Sequence, residues 1–488
     1  MAKDVTTVEE EDELPSSVSS QSCETLTLCV AFCRTQPWRL GEVLSISGET
    51  RGRPSIWGRG AASEAGPHVL LGQHRPGRWL PSPPLNAPAI SRQQLSLESI
   101  GDAHILVENL GKCPMFRNGK AVARTELAPG DLLRLGKQLL FVCVRRAASS
   151  QGWDYPEFPF GGADPNGIVG ESPTAWALRR RVAFVAARHD HVLIHGPSGS
   201  GKELIARAIH AQSSCAARPM VSRSAATLPQ LLIDAELFGN AKNYPNPGML
   251  DRAGLIGEAQ GSTLFLDEIA ELPQQSQSHL LRVLDGGEYQ RLGESKARVS
   301  DFRLIAATNR EPGSLKDDFL ARFGLRFAVP NLSSRLEDVP LLVRHLLERE
   351  AARGDAVARR LFPHGIGGSG PDVPLEVIDD LLQARPQDVR ALHALLWEKL
   401  AARELGTGAA AYGDAAKSEL NAVSREPAAD EAAKSSGLDA ERIQRCLDEH
   451  NGVIEQTWRA LGLANRFALM RLIRKYDLEL RKRAKRPG

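Results

Sequence analysis

Gly196-Pro197-Ser198-Gly199-Ser200-Gly201-Lys202-Glu203 follows the apolar run His191 to His195 and opens a stretch with helical apolar spacing, Glu203 to Ala211. Glycines in such a turn let backbone amides face inward around phosphate oxygens. A helix N-terminus and a lysine then add positive potential at the β- and γ-phosphates of a nucleotide. The general pattern ends in Ser or Thr, whereas this one ends in Glu203, so a magnesium ion must be held mainly by another group or by water. Thr263-Leu-Phe-Leu-Asp267-Glu268 offers that group: an apolar strand delivers two carboxylates at its end. Asp267 is suited to positioning Mg2+ and Glu268 to polarising the attacking water, the two tasks phosphoryl transfer to water requires. Asn309, after the apolar run Phe302 to Ala306, would bring its amide near the γ-phosphate. The expected chemistry is hydrolysis of ATP.

These groups must be carried by a parallel α/β sheet. The three apolar runs alternate with helical stretches such as Gln277 to Leu284, the order that puts strand ends and helix starts on one edge. Val339 to Glu350 and Leu375 to Leu400 show helical spacing and suggest an appended helical subdomain. The region before the motif has a different texture. Short apolar runs (Thr25 to Phe32, Val69 to Gly72, Gln94 to Leu97, His104 to Val107, Asp131 to Leu135, Leu139 to Val144) are separated by Pro and Gly clusters, which reads as a β-sandwich. The predicted order is an acidic leader (1–24), a sandwich (25–146), a linker (147–166), an α/β core (167–347), a helical lid (348–402) and a second linker (403–436). A three-helix segment (437–480) and a basic tail (481–488) complete it.

A chain of 488 residues with 42% hydrophobic and 25% charged residues is too long for one core and too apolar to be disordered throughout. The net charge of +2 hides an uneven placement, with Glu9 to Glu13 acidic and Arg481 to Arg486 basic, which hints at nucleic acid at the C-terminal end. Seven scattered cysteines lack Cys-x-x-Cys spacing and read as reduced packing residues. No apolar run approaches the roughly 20 residues of a membrane span, and the acidic, Ser-rich start is unlike a signal peptide. A cytoplasmic protein with no membrane partner is expected.

Taken together, Ile168-Val-Gly-Glu-Ser-Pro173, the phosphate-binding turn, Glu236-Leu-Phe-Gly239, Gly261 to Leu272, Leu280 to Leu284, Ala306 to Asn309 and Pro386 to Arg390 resemble the AAA+ ATPase domain of sigma-54-dependent activators, the bacterial enhancer-binding proteins. The resemblance covers about half of the chain. It implies that Glu203 is usual at its position, that Ile168 and Val169 lie at the adenine, and that Arg390 is the sensor arginine of the lid. It further implies a hexameric ring with ATP bound between subunits and the sigma-54 holoenzyme as client.

Three departures stand out. Asn243-Tyr244-Pro-Asn-Pro-Gly248 replaces the family's Gly-Ala-Phe-Thr-Gly-Ala loop, whose aromatic tip contacts the sigma factor by the resemblance, so Tyr244 keeps an aromatic at the sigma-contact position while two prolines remove amide donors. Arg322 fits one of two trans-acting arginine positions and Lys316 occupies the other, where an ammonium cannot reproduce bidentate guanidinium contacts. Ser224 stands where the family has an asparagine that restrains the catalytic glutamate.

Leu438 to Leu478 reads as three helices broken at Asn451-Gly452 and Gly462, and resembles the Fis-type helix-turn-helix that ends enhancer-binding proteins. The third helix begins with Ala464, Asn465 and Arg466, which puts these nearest the bases, and Arg466, Arg471, Arg474 and Lys475 would face the major groove or phosphates of DNA. At the front, Gly58-Arg59, Ser91-Arg92 and Asn118-Gly119 fall on loops at spacings similar to a forkhead-associated (FHA) domain. Arg59, Ser91 and Arg92 would then clamp a phosphothreonine on a partner protein or on a Ser/Thr kinase. Gln94 replaces the usual structural histidine, and a sandwich used purely for protein contact would read the same way. The whole is an all-β FHA-like sandwich, an α/β AAA+ domain with a helical lid and an all-α DNA reader. It suits either an ATP-driven transcription activator or a sigma-54-independent regulator whose ATP controls only oligomerisation.

Overall fold

The computed structural model describes residues 24–44, 54–59, 69–101, 103–147, 152–368, 370–404 and 440–449, and positions 457, 460, 461 and 476. The chain forms two compact units, 1–400 and 401–488.

The first unit begins with strands β1 (Glu24–Cys33), β2 (Val43–Leu44), β3 (Ser55–Trp57), β4 (Leu71–Arg75), β5 (Arg78–Pro81) and β6 (Leu95–Ile100). It continues with β7 (His104–Asn109), β8 (Met115–Arg117), β9 (Lys120–Ala121), β10 (Arg124–Leu127), β11 (Leu132–Leu135) and β12 (Leu139–Ala147). They pair into an eight-stranded sheet, order β5-β4-β2-β1-β12-β11-β8-β9, and a four-stranded sheet, order β10-β7-β6-β3, both antiparallel. Between the sheets lies a core that includes Leu28, Val30, Trp57, Leu95, Val107 and Phe141.

The large sheet is buried on its second face as well. Cys29, Ala31, Val43, Leu132, Leu140, Val142 and Val144 form one continuous apolar core with the helical lid. Antiparallel sheets usually leave one face to water and therefore alternate apolar with polar residues. Leu139 to Val144 is apolar at every position because both of its faces are covered. The sandwich is thus built onto the helical lid rather than tethered to it. The segment predicted as a linker is packed from residue 152 onward. Trp153, Tyr155 and Phe158 stack around Trp176, and Asp164 is buried.

The nucleotide core consists of α1 (Pro173–Ala186), β13 (Val192–His195), α2 (Lys202–Ala211), β14 (Val221–Ser224), α3 (Ile233–Phe238), α4 (Gly254–Glu258), β15 (Thr263–Asp267) and α5 (Gln274–Gly286). The short hairpin β16 (Glu288–Tyr289) and β17 (Arg298–Val299) follows, then β18 (Arg303–Thr308), α6 (Asp317–Leu320) and β19 (Leu325–Ala328). Five strands make a parallel sheet of order β14-β15-β18-β13-β19. β13 feeds α2, and the sheet order reverses around it, so its carboxyl end opens a crevice of the kind in which α/β folds bind ligands.

The lid is α7 (Val339–Arg353), α8 (Ala356–Arg360), α9 (Leu375–Ala384) and α10 (Val389–Glu404). α7 runs unbroken across the boundary predicted at 347, because Val339, Leu342, Leu346 and Leu347 all belong to the core shared with the other lid helices. Leu375 to Leu400, predicted as one helical stretch, is two helices divided at Arg385, whose φ of 47° is left-handed.

In the second unit, α11 (Ala440–Glu449) is described, with Ile443 and Leu447 buried one turn apart. The positions read as DNA-facing, Asn465, Arg466, Arg471, Arg474 and Lys475, lie outside the described residues. Among the described residues no helix is long and apolar enough to cross a membrane.

Candidate nucleotide site

A cavity of about 670 Å³ opens at the carboxyl ends of β13, β15 and β18. It gathers Ile168, Val169, Ser198 to Glu203, Asp267, Glu268, Asn309 and Arg390, nearly the whole set predicted for nucleotide. Gly196 and Pro197 border it indirectly: their carbonyls each accept from Lys202 Nζ at 2.9 Å, which folds the lysine back along the turn. Burial pulls the Lys202 ammonium below its ordinary range, while the charges of Asp267 and Glu268 oppose that shift.

Two glycines are required by the local geometry. Gly201 starts α2 with φ 92°, and Gly199 has φ 80° with the space for a Cβ only 2.6 Å from Asp388 Oδ1. The second constraint brings the lid onto the turn, where Arg390 Nη1 donates to Ser198 Oγ at 2.9 Å. Ser200 is 8% exposed and its hydroxyl has no hydrogen-bond partner. An orphaned buried hydroxyl inside a ring of inward amides fits a bound phosphate chain.

The acidic pair is held in a strained turn. Glu268 has φ 54° and ψ 42°, a left-handed conformation costly for a residue with a Cβ, and its amide donates to Asp267 Oδ1 at 2.9 Å. Ser224 pairs in register with Asp267 across β14 and β15 and donates to Glu268 Oε2 at 3.3 Å. The shorter hydroxyl thus still reaches the glutamate, from the position where the resemblance has an asparagine. No group of three or more acidic, His or Cys side chains that could cage a metal occurs among the described residues. That suits Mg2+, which is commonly held by one or two carboxylates together with the substrate's phosphates.

The segment Ile168 to Ser172 is fixed from beneath. Arg179 and Asp164, both fully buried, pair at 2.9 Å, and Arg179 also donates to the carbonyls of Ile168 and Gly170. Asp338 accepts from the amides of Glu171 and Ser172 and from the Ser172 hydroxyl, tying the same segment to the start of α7.

Arg335, His345, Arg349 and His393 also line the cavity and were absent from the sequence-derived set. In α7, Leu342, His345, Leu346 and Arg349 follow three- and four-residue steps that place His345 and Arg349 on the cavity face. Burial, then the charges of Arg349 and Arg344, lower the His345 pKa.

Arg322 lies outside this cavity, exposed and ion-paired with Asp285, while Lys316 Nζ donates to Ser278 Oγ at 2.8 Å. The loop after Gly239 closes on itself through Asn240 and Arg252, and Asn243 Oδ1 accepts from the Gly248 amide. Its prolines have not left it without bonds. Tyr244 lies back against Gly293, whose missing Cβ would fall 2.3 Å from the ring, and Leu250 is the more exposed apolar residue of the loop at 77% against 43%.

At the end of the sandwich, Arg59, Ser91 and Arg92 come together. The Arg59 amide donates to the Ser91 carbonyl at 3.1 Å, and Gly58 lies under the Arg92 carbonyl, where a Cβ would be 2.2 Å away. Gln94 is fully buried; its Oε1 accepts from Ser91 N and its Nε2 donates to Asn109 and Cys113. Asn118 is not part of this cluster; it bonds Leu132 N and Asp131 to set the β11 turn.

A profile of the Sigma-54 interaction domain matches residues 168–328. The chain is 40% identical over 217 residues to the transcriptional regulatory protein ZraR of Escherichia coli K12, covering 43% of this chain and 49% of that one. It is 33% identical over 325 residues to ZraR of Salmonella typhi, covering 65% and 71%. Among solved structures, NtrX from Brucella abortus in complex with ADP matches at 27% identity over 64% of this chain and 70% of that one, with a TM-score of 0.42. The chain spans about half the length of the first curated relatives it matches.

Proposed function

The chain belongs to the sigma-54-interacting family of transcriptional regulators, and from that premise we propose that it is an ATP-hydrolysing, DNA-bound activator whose sandwich receives a signal. The observation that carries the ATPase part is the meeting of Lys202, Asp267, Glu268, Asn309 and the lid's Arg390 in one cavity. Backbone amides of the 196–202 turn and Lys202 bind the phosphates; Asp267 would hold Mg2+, which neutralises charge on the phosphate oxygens when bound. Glu268, oriented by Ser224, takes the proton of the attacking water, and Asn309 orients the γ-phosphate. Arg390 reports occupancy to the lid through its contact with the turn.

Arg322, exposed and away from its own cavity, suits a neighbour's site in a ring, hexameric by resemblance. The C-terminal basic helices would anchor the ring to DNA. The cluster Arg59, Ser91 and Arg92 supports phosphothreonine recognition on a partner or kinase, with Gln94 in the histidine's place. The decisive assay is transcription with purified chain, ATP and sigma-54 polymerase on a promoter carrying its binding site. ATP-dependent open complexes are expected, and their absence while ATP turns over would remove sigma-54 as client.

A second reading is favoured by one observation, the folding of Tyr244 onto Gly293. In it the chain regulates from DNA without touching sigma-54, and ATP controls only assembly. Steady-state phosphate release separates the readings: turnover that Glu268→Gln abolishes supports the motor, and absence of turnover supports the assembly switch.

A further inference from the structure

Between the sandwich and the start of α1 lies a second, smaller cavity of about 130 Å³, lined by His74, Arg75, Arg146, Pro173, Trp176 and Arg180 among others. None of its lining residues carries a carboxylate. Arg75 is already committed: its guanidinium grips the Glu171 carboxylate, donates to the carbonyls of Phe158 and Pro159 and stacks on the Phe158 ring. Arg146 is not fully spent. It is 5% exposed and one Nη donates to the Glu171 carbonyl, but its buried Nε has no partner. Leaving a buried cationic N–H unmade is costly, so the site favours an acceptor. Arg180, midway along α1, adds an exposed guanidinium at the mouth, and Pro173 at the positive end of the α1 dipole lines the same cavity. His74 senses the field: burial first, and then the Arg146 charge, hold its imidazole below the ordinary range.

The geometry points to a seam site for a phosphate-type oxyanion, held by Arg146 and Arg180 between the sandwich and the ATPase. The cavity has room for a tetrahedral oxyanion. The ligand is a phosphate dianion, supplied free or as the end of a pyrophosphate chain. Glu171, whose carbonyl Arg146 holds, is bonded through its amide to Asp338 at the start of the lid. An anion here braces the sandwich, the Ile168-to-Ser172 segment and the lid against one another.

The test uses the full chain carrying Lys202→Ala, so that the nucleotide turn does not compete, and titrates inorganic phosphate by calorimetry, with pyrophosphate as a second arm. The His74 imidazole is followed by NMR. Saturable phosphate binding is expected, with His74 titrating at higher pH when phosphate is present. Arg180→Glu, on the surface, and Arg146→Met should each weaken binding by at least about tenfold, the effect of one charge-assisted hydrogen bond. Tighter pyrophosphate binding that Arg180→Glu abolishes assigns the chain end as the source, and equal or weaker binding assigns free phosphate. No saturable binding, or affinity and His74 titration unchanged by Arg180→Glu, overturns the site. Because nucleotide binding is read separately in the Lys202 chain, failure here leaves the ATPase reading standing.

Discussion

The nucleotide cavity and the seam beneath the sandwich use the same kinds of groups, arginines, carboxylates and helix starts, on opposite plans. In the cavity Ser198 to Lys202, Asp267, Glu268 and Asn309 sit at the ends of sheet strands or in the turns that follow them, so a few contiguous residues carry both the chemistry and its placement. At the seam, Arg75, Arg146, Glu171 and the adjacent pair Glu337 and Asp338 come from four separate places and are meaningful only once the large sheet has been laid on the lid. The first is solvent-facing and built to exchange ligand; the second is buried and built to transmit. Local motifs thus specify what is done, and dispersed contacts specify what it is coupled to.

The largest effect expected on this contrast is at the chemistry. Glu268→Gln should lower ATP turnover by about 10²- to 10⁴-fold, the usual cost of losing a general base, while nucleotide binding persists. A variant that instead lost binding would move Glu268 from chemistry to positioning. Next comes the buried pair under the adenine segment. Arg179→Ala leaves Asp164 charged and unpaired in a dry site and should cost about 3–5 kcal/mol of stability in denaturant unfolding. A cost near zero would mean that the segment is held by its other bonds, to Asp338 and within the Asp164 turn.

The shared core gives a third test. Leu346→Ala should cost about 2–5 kcal/mol. If sandwich and lid are one cooperative body, near-UV and tryptophan probes of the two should lose their signals in a single transition, whereas two transitions would separate them.

The smallest effect is electrostatic. Burial, reinforced by the Asp338 charge, pushes Glu337 up from 4.5 to about 7. The folded chain therefore binds this proton more tightly than the unfolded one. Its contribution is fully present below about 4.5 and is lost as pH rises through about 7. Glu337→Gln should remove that part of the decline, visible as a flatter stability profile over the same window.

What was legible follows the same division. Gly196 to Lys202, Asp267, Glu268 and Asn309 were readable because a strand, a turn and a helix start are written in neighbouring residues, and the structure brings them to one edge. Arg335, His345, Arg349 and His393 were not, since a cation on a helix looks like a solvated face until the opposite wall is known. The docking of the sandwich had a trace in sequence: Leu139 to Val144 is too uniformly apolar for a strand with a wet face. Which surface covers it depends on the lid, more than 190 positions later, and no periodicity encodes that. Ser224 shows the converse, a departure from the family pattern whose hydroxyl still reaches Glu268.

Grip and hydrolysis are separable functions of one cavity in the proposed ATPase. Equilibrium titration of ATP with Mg2+ into the unaltered chain, Glu268→Gln and Lys202→Ala tests it directly. Saturable binding should be similar in the first two and at least about tenfold weaker in the third, as expected for a charged contact to phosphate. Equal affinity in all three, or none in any, would contradict it.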